Sequence, residues 1–306
     1  MHPFRFGVSG GRPTRTAWLE LARTAEELGY STLLLPDHFG PHMAPLPALL
    51  AAALATRSLR VGTIVLDNDF RHPAVLAKEA ATIDLLTDGR FELGIGAGWL
   101  EADYTASGLP FDQPAERVSR LAEAVRIIRA FLAGEGLVTF HGRYYRVNGL
   151  QPAPRPAQAR LPILIGASRP RMLRLAAHEA DIVGLEDHQF AERMESRARI
   201  HVANCAEQVA IVREAAGARF SNLELSVFAA RTEVTDDTAG VTQRMADQLQ
   251  LPIQQVRASG SFLIGSVDGI VGTLQERRER LGISYVLIHA QAMHAFAPVV
   301  ARLAGT

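Results

Sequence analysis

A histidine beside an aspartate follows the second strand-like run of the sequence. Thr32–Pro36 is short and apolar, and Asp37 and His38 come directly after it. At the carboxyl end of a parallel strand, both side chains would reach the edge of the sheet where ligands bind. There an imidazole can hydrogen-bond a group of a bound cofactor or substrate, and Asp37 can orient the ring or bind the cofactor itself. We therefore take His38 and Asp37 as candidate catalytic residues; the alternative is a pair that only satisfies loop backbone.

Two further strand-like runs end in unusual sequence. Asp67 follows the run Val61–Leu66, and the next run leads into GIGAGW at positions 94–99. Glycines allow a flat ring to approach the backbone closely and to bond its amides. The segment is not the dinucleotide-binding fingerprint, because the third glycine is missing at the required spacing. These ends are therefore the predicted floor of a site for a planar cofactor.

A possible anion site follows the fifth strand-like run. After Ile163–Ile165 the chain continues as Gly166-Ala167-Ser168-Arg169-Pro170. The order predicts a glycine turn, a serine N-cap and a helix start with proline in its first turn. Backbone amides at a helix N-terminus, together with the arginine, suit a phosphate group. The alternative is an ordinary capped helix with a surface arginine.

Eight strand-like runs alternate with helical patterns. The runs are Phe4–Val8, Thr32–Pro36, Val61–Leu66, Phe91–Ile95, Ile163–Ile165, Asp181–Leu185, Leu223–Ala229 and Ser284–His289. The alternation predicts an α/β fold, a (β/α)8 TIM barrel made of one domain over 1–306, with an open doubly wound sheet as the second choice. Insertions are predicted at about 134–161, after the fourth helix, as a β-hairpin with a Pro-rich tract, and at about 234–261, after the seventh strand, as extra helix.

The helical patterns have apolar residues at helical spacing. They lie around Trp18–Leu28, Leu46–Thr56, Ala74–Leu86, Val118–Leu132, Arg169–His178, Phe190–Ala216, Val241–Gln250, Asp268–Leu281 and Met293–Leu303.

Composition argues against several classes of function. The 32 basic and 32 acidic residues cancel and no basic run occurs, so neither nucleic acid nor an anionic membrane is an expected partner. The longest apolar stretch, Pro45–Ala55, is too short to span a bilayer. The start of the chain has no apolar signal-peptide core, and Cys205 is the one cysteine, which together favour a cytoplasmic location. The one lysine, Lys78, lies on a predicted helix, which argues against Schiff-base chemistry.

The histidines show no metal-ligating spacing. There is no H-x-H after the first strand and no H-E-x-x-H. The histidines considered are His72, His178, His188, His201, His289 and His294. We therefore predict no metal site and keep a metal-dependent hydrolase as a weak third hypothesis. His289 ends the last strand and is expected to reach the site.

Four segments together resemble the luciferase-like flavin/deazaflavin oxidoreductase superfamily, in particular its branch that uses coenzyme F420. They are ELGYSTLLLPDHF at 27–39, the stretch 61–99, ILIGAS at 163–168 and LQERRERLG at 274–282. Their order and spacing carry the resemblance over nearly the whole chain. It implies a TIM barrel that binds F420 and transfers a hydride between the cofactor and a small organic substrate.

The resemblance also implies roles for individual residues. In similar enzymes the histidine matched by His38 lies beside the deazaflavin ring, and a non-prolyl cis peptide, matched by Ile64–Val65, lies behind it. Trp99 would form a wall of the substrate pocket and contribute to catalysis. The implied cofactor-binding residues are Asp37, Ile64, Val65, Leu66, Asp67, Gly96, Ala97, Gly98, Gly166, Ala167, Ser168 and Arg169.

The predicted substrate pocket is aromatic and weakly polar. Its residues are Phe39, His42, Phe70, Trp99 and His289. This composition favours an apolar or planar substrate, and some sugar-phosphate-oxidising relatives have a carboxylate acid/base where this chain has Trp99. An FMN-dependent monooxygenase of the same superfamily is the main alternative, and a flavin- or deazaflavin-binding protein without turnover is another. Relatives are often dimers, so a homodimer is possible.

Overall fold

The computed structural model describes residues 2–11, 14–185 and 204–306. In these ranges the strands, in chain order, are β1 (Arg5–Ser9), β2 (Thr32–Leu35), β3 (Arg60–Thr63), β4 (Leu66–Asp67), β5 (Phe91–Gly96), β6 (Val138–His141), β7 (Arg146–Leu150), β8 (Ile163–Ala167), β9 (Ile182–Leu185), β10 (Glu224–Ala229), β11 (Arg231–Val234), β12 (Phe262–Gly265) and β13 (Ile283–His289). The helices are Arg15–Glu27, Pro45–Leu54, Pro73–Leu86, Glu101–Ser107, Pro114–Ala133, Pro170–Glu179, Cys205–Ala216, Thr238–Leu249, Ile253–Ala258, Val267–Leu281 and Met293–Leu303.

The main sheet closes on itself. Its strand order is β3-β2-β1-β13-β10-β9-β8-β5-β4, and β3 also pairs with β5. Because β3 and β4 are two parts of one strand, interrupted at Ile64 and Val65, the order passes once through eight strand positions. The fold is a closed eight-stranded parallel barrel with surrounding helices, a TIM barrel. The prediction of eight barrel strands is confirmed, and the open sheet is excluded.

Contacts within the chain divide it into two compact units. Unit 1 comprises Met1–Gly10, Thr24–Thr32 and Gly166–Thr306, and unit 2 comprises Gly11–Arg23 and Leu33–Ile165. The single-domain organisation stays a prediction.

In unit 1, β13 pairs in parallel with β1 and β10, and β10 pairs with β9. The strands are almost entirely buried, which explains their continuous apolar sequence. A charged group lies among them: Arg5 forms an ion pair with Glu224 at 2.6 Å, and its guanidinium stacks 3.6 Å from the Tyr285 ring centroid.

In unit 2, β5 is the central strand. It pairs with β3 and β4 on one side and with the first residues of β8 on the other, where Ile95 lies opposite Ile165. The Thr63 hydroxyl donates to the Gly94 carbonyl at 2.7 Å and accepts from the Gly94 amide at 2.8 Å. These bonds hold β3 close to β5 beside the interruption at Ile64 and Val65.

The first insertion is the predicted hairpin. Strands β6 and β7 pair antiparallel, and the backbone amides of Arg143, Tyr144 and Tyr145 all donate to the carboxylate of Glu123 on helix Pro114–Ala133. The Asn68 amide donates to the Tyr145 hydroxyl at 3.2 Å. The hairpin is therefore fixed to the helix through its backbone and presents Tyr145 to the segment that follows β4.

The second insertion contains the predicted helical segment and two strands that were not predicted. Helices Thr238–Leu249 and Ile253–Ala258 lie between β11 and β12, which pair in parallel as a separate sheet. Their small core is Ala246, Leu249, Leu251, Val256 and Phe262.

Other helical predictions are confirmed within a few residues at each end. Of the predicted helix Phe190–Ala216, the part Cys205–Ala216 is helical, and the remainder lies outside the described residues, apart from Asn204, its N-cap. His188 and His201 also lie outside them. The short helix Glu101–Ser107 was not predicted.

Candidate functional site

His38 is paired with Asp103. The imidazole Nδ1 lies 2.6 Å from Asp103 Oδ2, and the Phe39 backbone amide donates to Asp103 Oδ1 at 3.1 Å. Asp103 is buried on helix Glu101–Ser107, whereas the His38 side chain keeps 27% of its surface exposed. The expectation that Asp37 orients His38 is wrong, since Asp103 occupies that position.

Asp37 pairs with Arg71 and not with His38. Its carboxylate accepts two bonds from the Arg71 guanidinium, at 2.5 and 3.0 Å, and a third from the Asp67 backbone amide at 3.1 Å. A bidentate pair of this kind fixes both side chains in orientation. Asp37 therefore ties the segment after β2 to β4 and to the segment that follows it.

Asp67 is buried, and its carboxylate and that of Asp69 both lie beside the hydroxyl group of Tyr104. The Tyr104 hydroxyl lies 3.0 Å from Asp67 Oδ1 and 3.1 Å from Asp69 Oδ2, and Asp67 Oδ1 also accepts from the Asp69 amide. Burial raises the pKa of Asp67 to about 6, and the carboxylates of Asp69 and Asp37 act in the same direction against these hydrogen bonds. Asp69 is also paired with Arg120 at 2.8 Å.

The raised pKa of Asp67 predicts a pH effect on stability. A carboxyl group whose pKa is higher in the folded state than in the unfolded state destabilises the fold once it ionises, so this contribution worsens as the pH rises from about 4 to above 6. We expect Asp67→Asn to gain stability over the wild type on going from pH 4 to pH 7, by about 3 kcal/mol at most. Urea unfolding of both proteins across this range measures it, and parallel pH profiles would contradict it.

The glycines that end β5 accommodate neighbouring protein atoms. A Cβ on Gly94 would lie 1.9 Å from the Thr63 carbonyl oxygen, one on Gly96 2.8 Å from Val65 Cγ2, and one on Gly98 2.0 Å from the Tyr104 hydroxyl. Gly98 also has a φ of +74°. The absent side chains thus allow β5 and the following turn to pack against Thr63, Val65 and Tyr104, and the contact of this backbone with a planar ring stays a prediction.

The backbone around these glycines is held in an unusual geometry. The Ile64–Val65 peptide is cis, as the resemblance implied. Leu66 is fully buried directly after it. The buried Arg117, on helix Pro114–Ala133, donates to two carbonyl oxygens of the turn that follows β5, those of Ala97 at 3.2 Å and Gly98 at 3.3 Å. These contacts fix the carboxyl ends of β4 and β5.

In unit 2, His42 and Trp99 lie beside His38, and two other predicted pocket residues, Phe39 and Phe70, pack against each other. Ring centroids of Trp99 and His42 lie 5.6 and 6.1 Å from that of His38. The Phe39 ring packs at a tilt against that of Phe70, with centroids 5.0 Å apart, and the Phe70 centroid lies 5.4 Å from that of the buried Tyr104. Phe39 is 55% exposed, so this aromatic group presents an apolar face to solvent beside the imidazole.

His289 lies in unit 1, where it lines a cavity of about 530 Å³. Arg231, Met245 and Gln248 are among the other residues around this cavity. The His289 ring packs 4.7 Å from that of Phe228. Its pKa is lowered by burial and then by the charge of Arg231, against a backbone hydrogen bond with Ser9.

The predicted anion segment also lies in unit 1. Gly166 and Ala167 are buried in the last part of β8, and helix Pro170–Glu179 follows. The N-cap residue is Arg169 and not Ser168, which corrects the predicted cap by one residue. The Ser168 carbonyl accepts from the Gln208 side chain at 3.4 Å, and Arg169 is exposed.

Five residues of the site were missed from sequence: Asp103, Tyr104, Arg71, Arg120 and Tyr145. The available signal was the Asp103-Tyr104 dipeptide four residues after Trp99, where two polar side chains follow a strand end.

The absence of two kinds of feature holds for residues 2–11, 14–185 and 204–306. Across these ranges, no three His, Cys, Asp or Glu side chains come close enough together to hold a metal ion. None of the helices found there combines the length and the apolar character that crossing a bilayer requires.

Curated relatives match part of the chain. An F420-dependent glucose-6-phosphate dehydrogenase of Microbacterium testaceum is 39% identical over 189 residues, which cover 58% of this chain and 55% of the relative. An enzyme of the same name from Nakamurella multipartita is 37% identical over 191 residues, with the same two coverages. The chain thus spans about half the length of the curated relatives it matches.

Solved structures match nearly the whole chain. The coenzyme F420-dependent tetrahydromethanopterin reductase of Methanopyrus kandleri has a TM-score of 0.76 at 18% identity, covering 99% of this chain and all of that one. An F420-dependent secondary alcohol dehydrogenase, solved with an F420-acetone adduct, has a TM-score of 0.75 at 18% identity, covering 98% and 97%. At this identity the likeness supports the barrel fold alone.

A family model extends over most of the sequence. The model described as luciferase-like monooxygenase matches residues 1–285. This match agrees with the resemblance inferred from the four sequence segments, and the chain belongs to the luciferase-like monooxygenase family.

Proposed function

We propose that the protein is a coenzyme F420-dependent oxidoreductase that transfers a hydride between the deazaflavin and a small organic substrate. The names of its relatives support F420 as the cofactor. The observation that carries the proposal is the His38–Asp103 pair, whose imidazole lies beside the rings of Trp99 and His42. Hydride transfer from or to a hydroxyl-bearing carbon requires a group that accepts or donates the hydroxyl proton, and the imidazole beside apolar surface can do this.

The polar groups of unit 2 fit this role. Asp37 and Asp67 are bonded to protein partners, whereas no hydrogen bond to His38 Nε2 is found within the described part of the chain. This nitrogen is therefore the group available to a ligand. When bound, the deazaflavin supplies a ring carbon that takes up or gives back a hydride, and His38 would hold the accompanying proton at Nε2.

The other predicted residues have supporting roles in this proposal. Backbone at Ile64–Asp67 and Gly96–Gly98 would contact the cofactor ring, and Gly166–Arg169 would bind the phosphate of its tail. Trp99, with Phe39, His42 and Phe70, would form the substrate pocket. Every one of these assignments is a proposal that rests on position and residue type.

The substrate class that we propose is apolar or planar. The aromatic group beside His38 favours it, and Trp99 takes the place of the carboxylate acid/base of some sugar-phosphate-oxidising relatives. The name of the Microbacterium testaceum relative points instead to a sugar phosphate. Comparing F420 reduction with a panel of apolar secondary alcohols and with glucose 6-phosphate separates these substrate classes.

An FMN-dependent monooxygenase is the second candidate, because the matching family model is described as luciferase-like monooxygenase. It would use the same barrel with a separately reduced flavin. The carrier alternative predicts cofactor binding with no turnover of any substrate in the panel.

Cofactor titration tests the proposal. We expect F420 fluorescence to be quenched on binding, and FMN to bind more weakly. Arg169→Ala should weaken F420 binding by roughly 5–10-fold without changing the far-UV circular dichroism spectrum, because one charge-assisted hydrogen bond at an exposed site is worth about 1 kcal/mol. Arg174→Ala, an exposed arginine further along the same helix, is the matched control. Micromolar FMN binding without F420 binding would overturn the choice of cofactor.

A further inference from the structure

We propose that Asp103 is a positioning residue that keeps His38 in the Nδ1–H tautomer, so that Nε2 can take the substrate proton. The catalytic part of this inference rests on the proposed function. The tautomer itself is a property of the protein alone and can be measured without cofactor or substrate.

The geometry uses both oxygens of Asp103. Oδ2 lies 2.6 Å from His38 Nδ1, and Oδ1 accepts the Phe39 amide at 3.1 Å. The two bonds hold residues 38 and 39, on the segment after β2, against helix Glu101–Ser107. Because Asp103 is only 7% exposed, water competes weakly for these bonds.

The tautomer follows from the chemistry of the pair. An ionised carboxylate only accepts hydrogen bonds, so at this distance Nδ1 must carry the hydrogen. In the neutral ring, Nε2 then has its lone pair available. The ring is further restrained by the edge-on contact with Trp99, at 5.6 Å between centroids.

The reaction balances with His38 as the proton acceptor. In the oxidation of an alcohol, a bound deazaflavin would accept the hydride, which is the carbon-bound hydrogen together with the electron pair of the carbon–hydrogen bond that breaks. The hydroxyl proton passes to Nε2, and a carbonyl forms. The imidazolium that results is stabilised by the Asp103 carboxylate. In the reverse direction the imidazolium returns the proton to the developing alkoxide.

Replacing Asp103 with asparagine exchanges one acceptor for a donor. The Phe39 amide still needs an acceptor, so the side-chain oxygen of the asparagine stays with it and the NH2 group faces His38 Nδ1. Nδ1 must then accept, and the hydrogen moves to Nε2. Asp103→Asn thus keeps the bond that holds the segment after β2 in place, while His38 Nε2 gains a hydrogen and can no longer accept a proton from a ligand.

The experiment compares Asp103→Asn with Glu101→Gln, a matched loss of one carboxylate at an exposed position of the same short helix. Long-range ¹H–¹⁵N spectra of the apo proteins, with His38 assigned by its loss in His38→Gln, report the tautomer. We expect Nδ1–H in the wild type and Glu101→Gln, and Nε2–H in Asp103→Asn. With F420 and a turned-over substrate, kcat of Asp103→Asn should fall about 10²–10⁴-fold, while KM and the F420 Kd change less than about 3-fold.

Each outcome of the experiment either supports or overturns the positioning role of Asp103. Nε2–H in the wild-type spectrum overturns the proposal, as does an Asp103→Asn variant that keeps Nδ1–H and wild-type kcat. If Asp103→Asn does not fold, the wild-type spectrum alone still decides the tautomer. A tautomer that changes as expected in a protein that turns over no substrate with F420 leaves the positioning role intact and rejects the proposed function.

Discussion

His38→Ala is expected to lower kcat by about 10²–10⁴-fold while leaving F420 affinity within about 3-fold of wild type, which is the usual range for losing a general acid or base. The reason is the availability of Nε2, for which no partner is found in the part of the chain that the structure describes, beside Trp99. Steady-state kinetics with F420 and fluorescence titration of the same preparations separate the loss of turnover from any loss of binding.

Two comparisons make this result specific to proton transfer. Added imidazole should restore part of the lost kcat in His38→Ala, because a small base can occupy the space left by the ring. His178→Ala, an exposed histidine on helix Pro170–Glu179, should behave as wild type. A His38→Ala enzyme with wild-type kcat and affinity would remove His38 from the mechanism.

Gly94→Ala is expected to destabilise the fold by about 3 kcal/mol or more. The new Cβ would lie 1.9 Å from the Thr63 carbonyl oxygen, a backbone atom that can move only if β3 separates from β5. That separation would also break the two hydrogen bonds between the Thr63 hydroxyl and the Gly94 backbone. Urea unfolding followed by circular dichroism measures the loss.

Gly272→Ala is the matched control for this substitution. Gly272 lies inside helix Val267–Leu281 with no atom near the added Cβ, so alanine should stabilise the protein by about 0.5–1 kcal/mol through helix propensity. If Gly94→Ala unfolds at the same urea concentration as the wild type, the close approach of β3 and β5 is wrong.

The barrel strands could be predicted because burial leaves a strong trace in sequence. β5 and β13 are buried along nearly their whole length, so the sequence of each strand is a run of mainly apolar residues. The short strand β11 was missed because it alternates with exposed Arg231 and Glu233 and has no such run. Its partner β12, Phe262–Gly265, is apolar but only four residues long.

The partner of His38 was missed because it is defined only by tertiary contact. Asp103 lies 65 positions away in the chain, on a seven-residue helix whose sequence, EADYTAS, has no apolar periodicity. Adjacent Asp37 was the natural candidate from sequence, but its carboxylate is bound by Arg71. Nothing in sequence distance indicates which of two carboxylates will face a given imidazole nitrogen.

The glycines of 94–98 show a similar limit. The pattern predicts that a planar ring approaches their backbone, which stays a prediction. It did not reveal that protein atoms lie where the Cβ of each glycine would be, and these atoms belong to Thr63, Val65 and Tyr104.

The hairpin of β6 and β7 is attached in a way that leaves its side chains open to variation. Glu123 binds three successive backbone amides, groups that every residue except proline provides. Position 142 is constrained to glycine, because a Cβ there would lie 2.2 Å from the Glu123 carboxylate. Residue 145 can therefore be exchanged for other side chains without detaching the hairpin, and such an exchange would give up only the hydrogen bond from the Asn68 side chain and the contact with His72.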